Sequence, residues 1–209
     1  MSDRAKNILE WVYCIAIALV LALLFRYFIA TPTIVKQRSM FPTLQENERL
    51  ILNRTKRITH KNPEVGDIIT FQAPSEVYTA ESCDQSNPVA IYDAEPQNIF
   101  GKFVFYVLEF SKRSYIKRVI ATEGQHVVIK DNTVYINGEE FEEEYLDSDV
   151  LTESSVFNDF IVPEGYIFAM GDNRTKSTDC RELGCIPLEK VEGIVTFRFW
   201  PLTKFGKID

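Results

Sequence analysis

Histidine is nearly missing from this chain, with two in 209 residues, and cysteine is sparse, with four. Neither His60 nor His126 stands at ligand spacing from a cysteine pair, so no zinc site is expected. The oxygen-ligand spacing of a calcium loop is also missing, although Glu139-Glu140-Phe141-Glu142-Glu143-Glu144 is densely acidic. That run reads as a solvated edge or loop, and the chain is expected to use no metal and no cofactor. Four cysteines are too few for a disulfide framework. Cys14 falls inside an apolar run, where packing is its expected role. Cys180 and Cys185 are near enough in sequence to bridge across a turn in an oxidising compartment, or to remain free thiols, and the sequence leaves both open. Clustered basic residues are lacking too. The 23 Lys and Arg are scattered among 30 Asp and Glu for a net charge of −7, which argues against nucleic acid as a partner.

Long apolar runs are equally scarce, and the single one is informative. No charge occurs from Trp11 to Phe25, and Tyr27-Phe28-Ile29-Ala30 continues the run past Arg26. The stretch is roughly the 20 residues that ~30 Å of hydrocarbon requires. Arg26 can snorkel to one interface beside Tyr27, with Trp11 at the other. We read residues 11–30 as a transmembrane anchor behind a short tail, 1–10. A cleaved secretory leader is the competing reading, but the run exceeds the usual apolar core, and Phe28 stands where cleavage wants a small residue. Arg4 and Lys6 before the helix balance Arg26, Lys36 and Arg38 after it, so charge alone does not orient it.

The remaining residues, 31–209, suffice for one β-rich unit with a substantial core. Thr33-Ile34-Val35 favours extended chain leading up to Ser39, and Pro42 stops regular pairing soon after. Arg49–Asn53 and Gly66–Phe71 read as short strands. Residues 74–112 form an irregular insertion. Within it Phe103–Phe110 fits a buried strand, a short helix or an aromatic surface dipping into a membrane interface; a core strand is the default expectation. Val127–Lys130, Thr133–Ile136, Ile161-Val162, Tyr166–Met170 and Gly193–Trp200 alternate with turns such as Asn137-Gly138 and Pro163-Glu164-Gly165, a meander of hairpins. No long helical period follows the anchor and no internal repeat is visible, so the fold class is mostly antiparallel β.

Four ordered boxes carry the chemistry: Ser39-Met40-Phe41-Pro42-Thr43-Leu44, Gly66-Asp67-Ile68-Ile69-Thr70-Phe71, Lys117-Arg118-Val119-Ile120 and Gly171-Asp172-Asn173-Arg174 followed by Ser177, Asp179 and Arg181. In order and wording the chain resembles bacterial type I signal peptidases over nearly its whole length, in their single-anchor form. The resemblance implies a signal-peptidase-type β-sheet domain on the extracytoplasmic side of the cell membrane. Its implied activity is the removal of N-terminal signal peptides from exported preproteins, with the lipid bilayer as the other partner. It implies Ser39 as nucleophile and Lys117 as general base, Ser177 as the hydroxyl that orients the lysine, and Arg118, Asp179 and Arg181 as a supporting ionic network. Val35, Met40 and Ile116 match positions lining the shallow pockets that accept small residues, as cleavage after Ala-x-Ala requires.

The residues bear on this reading independently. A serine hydroxyl is nearly inert at neutral pH without a neighbour to take its proton. A lysine of ordinary pKa is neutral in only about one molecule in two thousand at pH 7, so it serves as that neighbour only where burial favours the uncharged amine. Ile116, Val119 and Ile120 supply an apolar strand around Lys117, and Tyr115 can cover it. The backbone N–H of Ser39 is the natural first oxyanion donor. Two residues earlier, where family members often carry Ser or Gly, this chain has Gln37, whose side-chain amide is the candidate second donor. Cys180 also replaces a usual Ser. A non-cleaving assembly factor for surface structures would be expected to lose the nucleophile or base, and this chain keeps both. A self-cleaving cytosolic repressor with Ser/Lys chemistry does not fit a spanning helix without a DNA-binding module.

Overall fold

The computed structural model describes residues 3–109, 112–147, 150–154 and 156–208. A helix, α1, runs from Asp3 to Phe28 without a Pro or Gly to interrupt it. At 1.5 Å per residue its 26 residues reach about 39 Å. The Lys6–Phe28 portion has a mean hydropathy of 2.5, is long and apolar enough to cross a membrane, and touches the rest of the protein at its last turn, where Arg26 pairs with Glu109 and Arg57 stacks on Tyr27. The helix begins inside the segment expected as a tail, and Cys14 on it is exposed rather than packed within the protein. It stops at Phe28 because Pro32 holds Thr31 out of helical geometry. The chain turns directly into strand β1, Ala30–Ile34.

Seven further strands join β1 in one antiparallel sheet: β2 (Arg49–Asn53), β3 (Ile68–Gln72), β4 (Ser114–Thr122), β9 (Tyr166–Met170), β10 (Ile186–Pro187), β11 (Val191–Trp200) and β12 (Gly206–Lys207). Their order is β1-β2-β11-β3-β4-β9-β10, with β12 on β11. A smaller antiparallel sheet, ordered β7-β6-β5-β8, contains β5 (His126–Lys130), β6 (Thr133–Ile136), β7 (Glu139–Glu140) and β8 (Asp159–Ile161). The mostly β expectation therefore holds, and β2 coincides with the strand read from Arg49–Asn53. A large core containing Phe71, Ile120, Val127, Phe157, Phe160 and Phe168 joins the two sheets. Cys180 and Cys185 lie buried in it as free thiols. A smaller cluster of Val35, Met40, Leu44, Leu50, Leu52, Ile68 and Val195 lies beneath the Ser39 segment.

Three expectations need correcting. The extended chain does not reach Ser39: β1 ends at Ile34, and Ser39 is presented from successive turns, with Phe41 N–H donating to Arg38 O at 3.1 Å and Leu44 N–H to Met40 O at 2.8 Å. The aromatic segment is not a core strand. Asn98 caps a helix, α3, at Ile99–Phe103 by accepting from Gly101 N–H, and Val104–Leu108 continues as a wider π-helical turn; Phe110 lies outside the described residues. A local cap thus overrides β propensity where both edges of β3 are already taken by β4 and β11. The acidic run is not uniformly solvated either. Glu139, Glu140, Glu142 and Glu144 are exposed, but Glu143 turns inward and pairs with the buried Arg174 guanidinium.

Residues 74–98 are irregular as read, yet they cover the core. Tyr78 and Tyr92 pack against it, and Val89 bridges to Cys185. Gly184, at φ +81°, allows that approach, since a Cβ there would stand 2.8 Å from the Val89 carbonyl carbon.

Candidate active site

Strand pairing brings distant boxes together. Lys117 lies opposite Ile69 on β3, and its neighbour Arg118 lies opposite Met170 on β9, so Gly171 emerges from β9 beside Lys117. The segment that follows then holds the Ser39 turn. Asn173 N–H donates to Ser39 O at 3.0 Å, and Asn173 Nδ2 donates to Arg38 O at 3.1 Å. Ser39 and Lys117 consequently line the same cavity, of about 370 Å³, together with Gln37, Tyr115 and Thr178.

Lys117 is 2% exposed and Ser39 9%. Burial pushes the Lys117 amine down from 10.5 to about 8, against the opposing pull of Asp179. At that value roughly one molecule in ten carries a neutral amine at pH 7, a gain of about two orders of magnitude over an ordinary lysine. The ammonium sits 5.5 Å from the Tyr115 ring centre. Asp179 does not neutralise Lys117 because its charge is committed elsewhere. Arg181 donates from Nε to Asp179 Oδ1 and from Nη2 to Oδ2, both at 2.9 Å, and Gly171 N–H donates to Oδ2 at 2.9 Å. Burial alone would raise the Asp179 carboxyl, but these bonds hold it below its usual range. The same carboxylate caps the short helix α4, Cys180–Leu183.

Ser177 stands against Gly171, and among the described residues its buried Oγ has no hydrogen-bond partner. Its neighbours Lys176 and Thr178 line the cavity shared by Ser39 and Lys117. Gln37 is exposed at the mouth of that cavity. Arg118 makes a buried bidentate pair with Asp172, at 3.1 Å from Nε and 3.0 Å from Nη2, and Tyr145 stacks over its guanidinium at 4.0 Å. Asp172 also accepts from Thr43 Oγ1 at 2.5 Å, so this pair fastens the Ser39 turn to β4. Arg174 donates from Nε to Gly171 O at 3.1 Å and anchors the same segment from below. Sequence reasoning quoted Thr43, Gly171, Asp172 and Arg174 within their boxes but gave them no separate role. A charged residue, Asp172, only one glycine beyond the apolar Tyr166–Met170 run was the available signal.

A second cavity, of about 530 Å³, opens from Ser39 toward Arg26 at the end of α1. Val35, Met40 and Ile116 line it while also belonging to, or packing on, the small core cluster, so lining and packing are one role here. Two unpaired strand edges face this cavity. Among the described residues β1 pairs on one side only, and β4 pairs with β9 only from Arg118 onward, leaving the outer edge of Ser114–Lys117 free.

Comparison with known proteins agrees with this layout. The family model described as signal peptidase, peptidase S26 matches residues 8–200. A probable signal peptidase I-1 of Synechocystis is 34% identical over 92% of this chain and 82% of its own length. A signal peptidase I of Bacillus licheniformis is 33% identical over 100% of this chain and 97% of its own. A signal peptidase IB of Staphylococcus aureus is 30% identical over 96% and 93%.

Proposed function

Because the chain belongs to the signal peptidase family, peptidase S26, we propose that it is a membrane-anchored endopeptidase that removes signal peptides with a Ser39/Lys117 dyad. The observation that carries this reading is a buried lysine, its acidity raised by desolvation, lining one cavity with the serine. In the proposed reaction Ser39 Oγ attacks the scissile carbonyl and its proton passes to the neutral Lys117 amine. The C–N bond breaks, the Lys117 ammonium protonates the leaving amine, and water attacks the acyl-serine with Lys117 again as base. Ser177 is assigned to positioning: its unpartnered hydroxyl can fix the lysine rotamer without adding charge. Arg118, Asp179 and Arg181 hold the framework and exchange no protons.

The substrate enters as an extended strand. Its main chain bonds to the free edges of β1 and Ser114–Lys117, and alternate side chains enter the Val35, Met40 and Ile116 pockets. α1 anchors the enzyme and presents this cleft to the extracytoplasmic membrane surface, where a tethered preprotein brings its cleavage site. A non-cleaving assembly role has no observation in its favour, since the nucleophile and base are both present and share a cavity.

Two outcomes follow. The kcat/KM for a preprotein with Ala before the scissile bond should rise about tenfold per pH unit below a midpoint near 8, because the protonated amine cannot accept a proton. A rate still climbing to pH 10 would show an ordinary lysine. Gln37→Ala should lower kcat by about tenfold with little change in KM if its exposed amide reaches the oxyanion, less than a fully buried donor would supply. An unchanged kcat removes Gln37 from the reaction.

A further inference from the structure

A third cavity, at the end of α1, is left unused by the peptidase reading. It measures about 420 Å³ and lies between the last turn of α1, at Tyr27 and Phe28, and the four-residue helix α2, Lys56–Thr59. Two cations enter it, Lys56 and Arg57, and among the described residues neither forms an ion pair with a carboxylate. Arg57 Nη1 donates to Tyr27 O at 2.9 Å and stacks its guanidinium 4.1 Å above the Tyr27 ring, while Lys56 Nζ donates to Leu188 O at 2.8 Å. The other basic groups on the wall are matched: Lys112 pairs with Glu192 and Lys190 with Glu95. Glu189, the remaining carboxylate on the wall, is exposed. His60 completes the rim on the Lys56–Arg57 side. Burial of two adjacent cations against carbonyl oxygens lowers both pKa values, Lys56 to about 8, and an anion between them would reverse that cost.

The surroundings say which anion. α1 exits the apolar layer at this cavity. Beside it, Ile99 (89% exposed) and Phe100 (77%) project from α3, whose π-helical continuation contributes Tyr106 to the cavity wall. The residue after that turn, Glu109, is bound to Arg26 of α1 at 3.2 Å and to Arg54 at 2.6 Å. The exposed apolar helix is therefore fixed to the point where the anchor leaves the bilayer, at the depth of the lipid headgroups. We propose that Lys56 and Arg57 bind the phosphate of an anionic phospholipid headgroup, with Ile99 and Phe100 seated among the acyl chains beside it. The site sets the height and tilt of the cleft over the bilayer.

This proposal rests on the reading of α1 as a membrane anchor but not on peptidase activity, so the test uses binding. The detergent-solubilised full chain is analysed by native mass spectrometry after equilibration with phosphatidylglycerol or phosphatidylcholine, and its melting temperature is recorded with inorganic phosphate. We expect phosphatidylglycerol to be retained preferentially and Lys56→Gln/Arg57→Gln to reduce that retention about tenfold. Lys56→Arg/Arg57→Lys and the distant Lys130→Gln/Lys207→Gln should keep it. Equal retention by Lys56→Gln/Arg57→Gln and the parent would overturn the site. So would equal loss in the charge-preserving variant, which would mark a packing role. Stabilisation by phosphate matching that by the lipid would overturn the lipid assignment. Partition of the protein into the aqueous phase on detergent phase separation would instead defeat the anchor on which the proposal stands.

Discussion

Ser39→Ala and Lys117→Met are each expected to lower cleavage of a preprotein by about four orders of magnitude or more, the scale lost when one member of a nucleophile–base unit is removed. The two variants should differ in stability, which separates the chemistry from simple misfolding. A Lys117 amine lowered from 10.5 to about 8 binds its proton more weakly folded than unfolded. At ~1.4 kcal/mol per unit, that destabilises the native state by roughly 3 kcal/mol below pH 8, and the penalty fades as pH rises toward 10.5. Lys117→Met removes the penalty while keeping most of the apolar bulk. Its melting temperature should therefore exceed the parent's at pH 7, and the gap should close at alkaline pH. Ser39→Ala should melt near the parent throughout. An inactive Lys117→Met protein that melts well below the parent would indicate that the lysine serves the fold instead.

Gly171→Ala should lower kcat by about two orders of magnitude, the cost of displacing a reacting group by about 1 Å. The reason is space. A Cβ at position 171 would lie 2.2 Å from Ser177 Oγ and 2.4 Å from the Ser39 carbonyl oxygen. That oxygen is fixed by Asn173 N–H at 3.0 Å, so it cannot withdraw without moving Ser39 itself. Ser177 is squeezed in the same step. Overpacking should also cost ~1–3 kcal/mol of stability. Kinetics and thermal melting on the same preparation check both. A Gly171→Ala enzyme with parental kcat would mean that the Ser39 turn does not need its seat on the Gly171–Asn173 segment.

What the sequence disclosed depended on how local the cause was. The membrane-length helix, β2 and the hairpins from Val127 onward were legible because their apolar periods and turn residues act within a few positions. Residues 103–108 were misread because strand and helix compete closely in an aromatic run. The winner was decided by Asn98, a cap outside the aromatic segment, and by β3 having no free edge. The meeting of Ser39 with Lys117 could be inferred only by resemblance, since it arises from the register of Arg118 on Met170 and from Asn173 holding the serine turn. The inward turn of Glu143 was hidden for the same reason: its partner Arg174 lies 31 residues away.

The most direct test titrates the Lys117 side chain itself. With ¹⁵N-labelled lysine in the detergent-solubilised protein, and Lys117→Met to assign the resonance, the amine should titrate near 8. A midpoint near 10.5 would contradict the account, because such an amine would be charged at the pH where Ser39 must lose its proton.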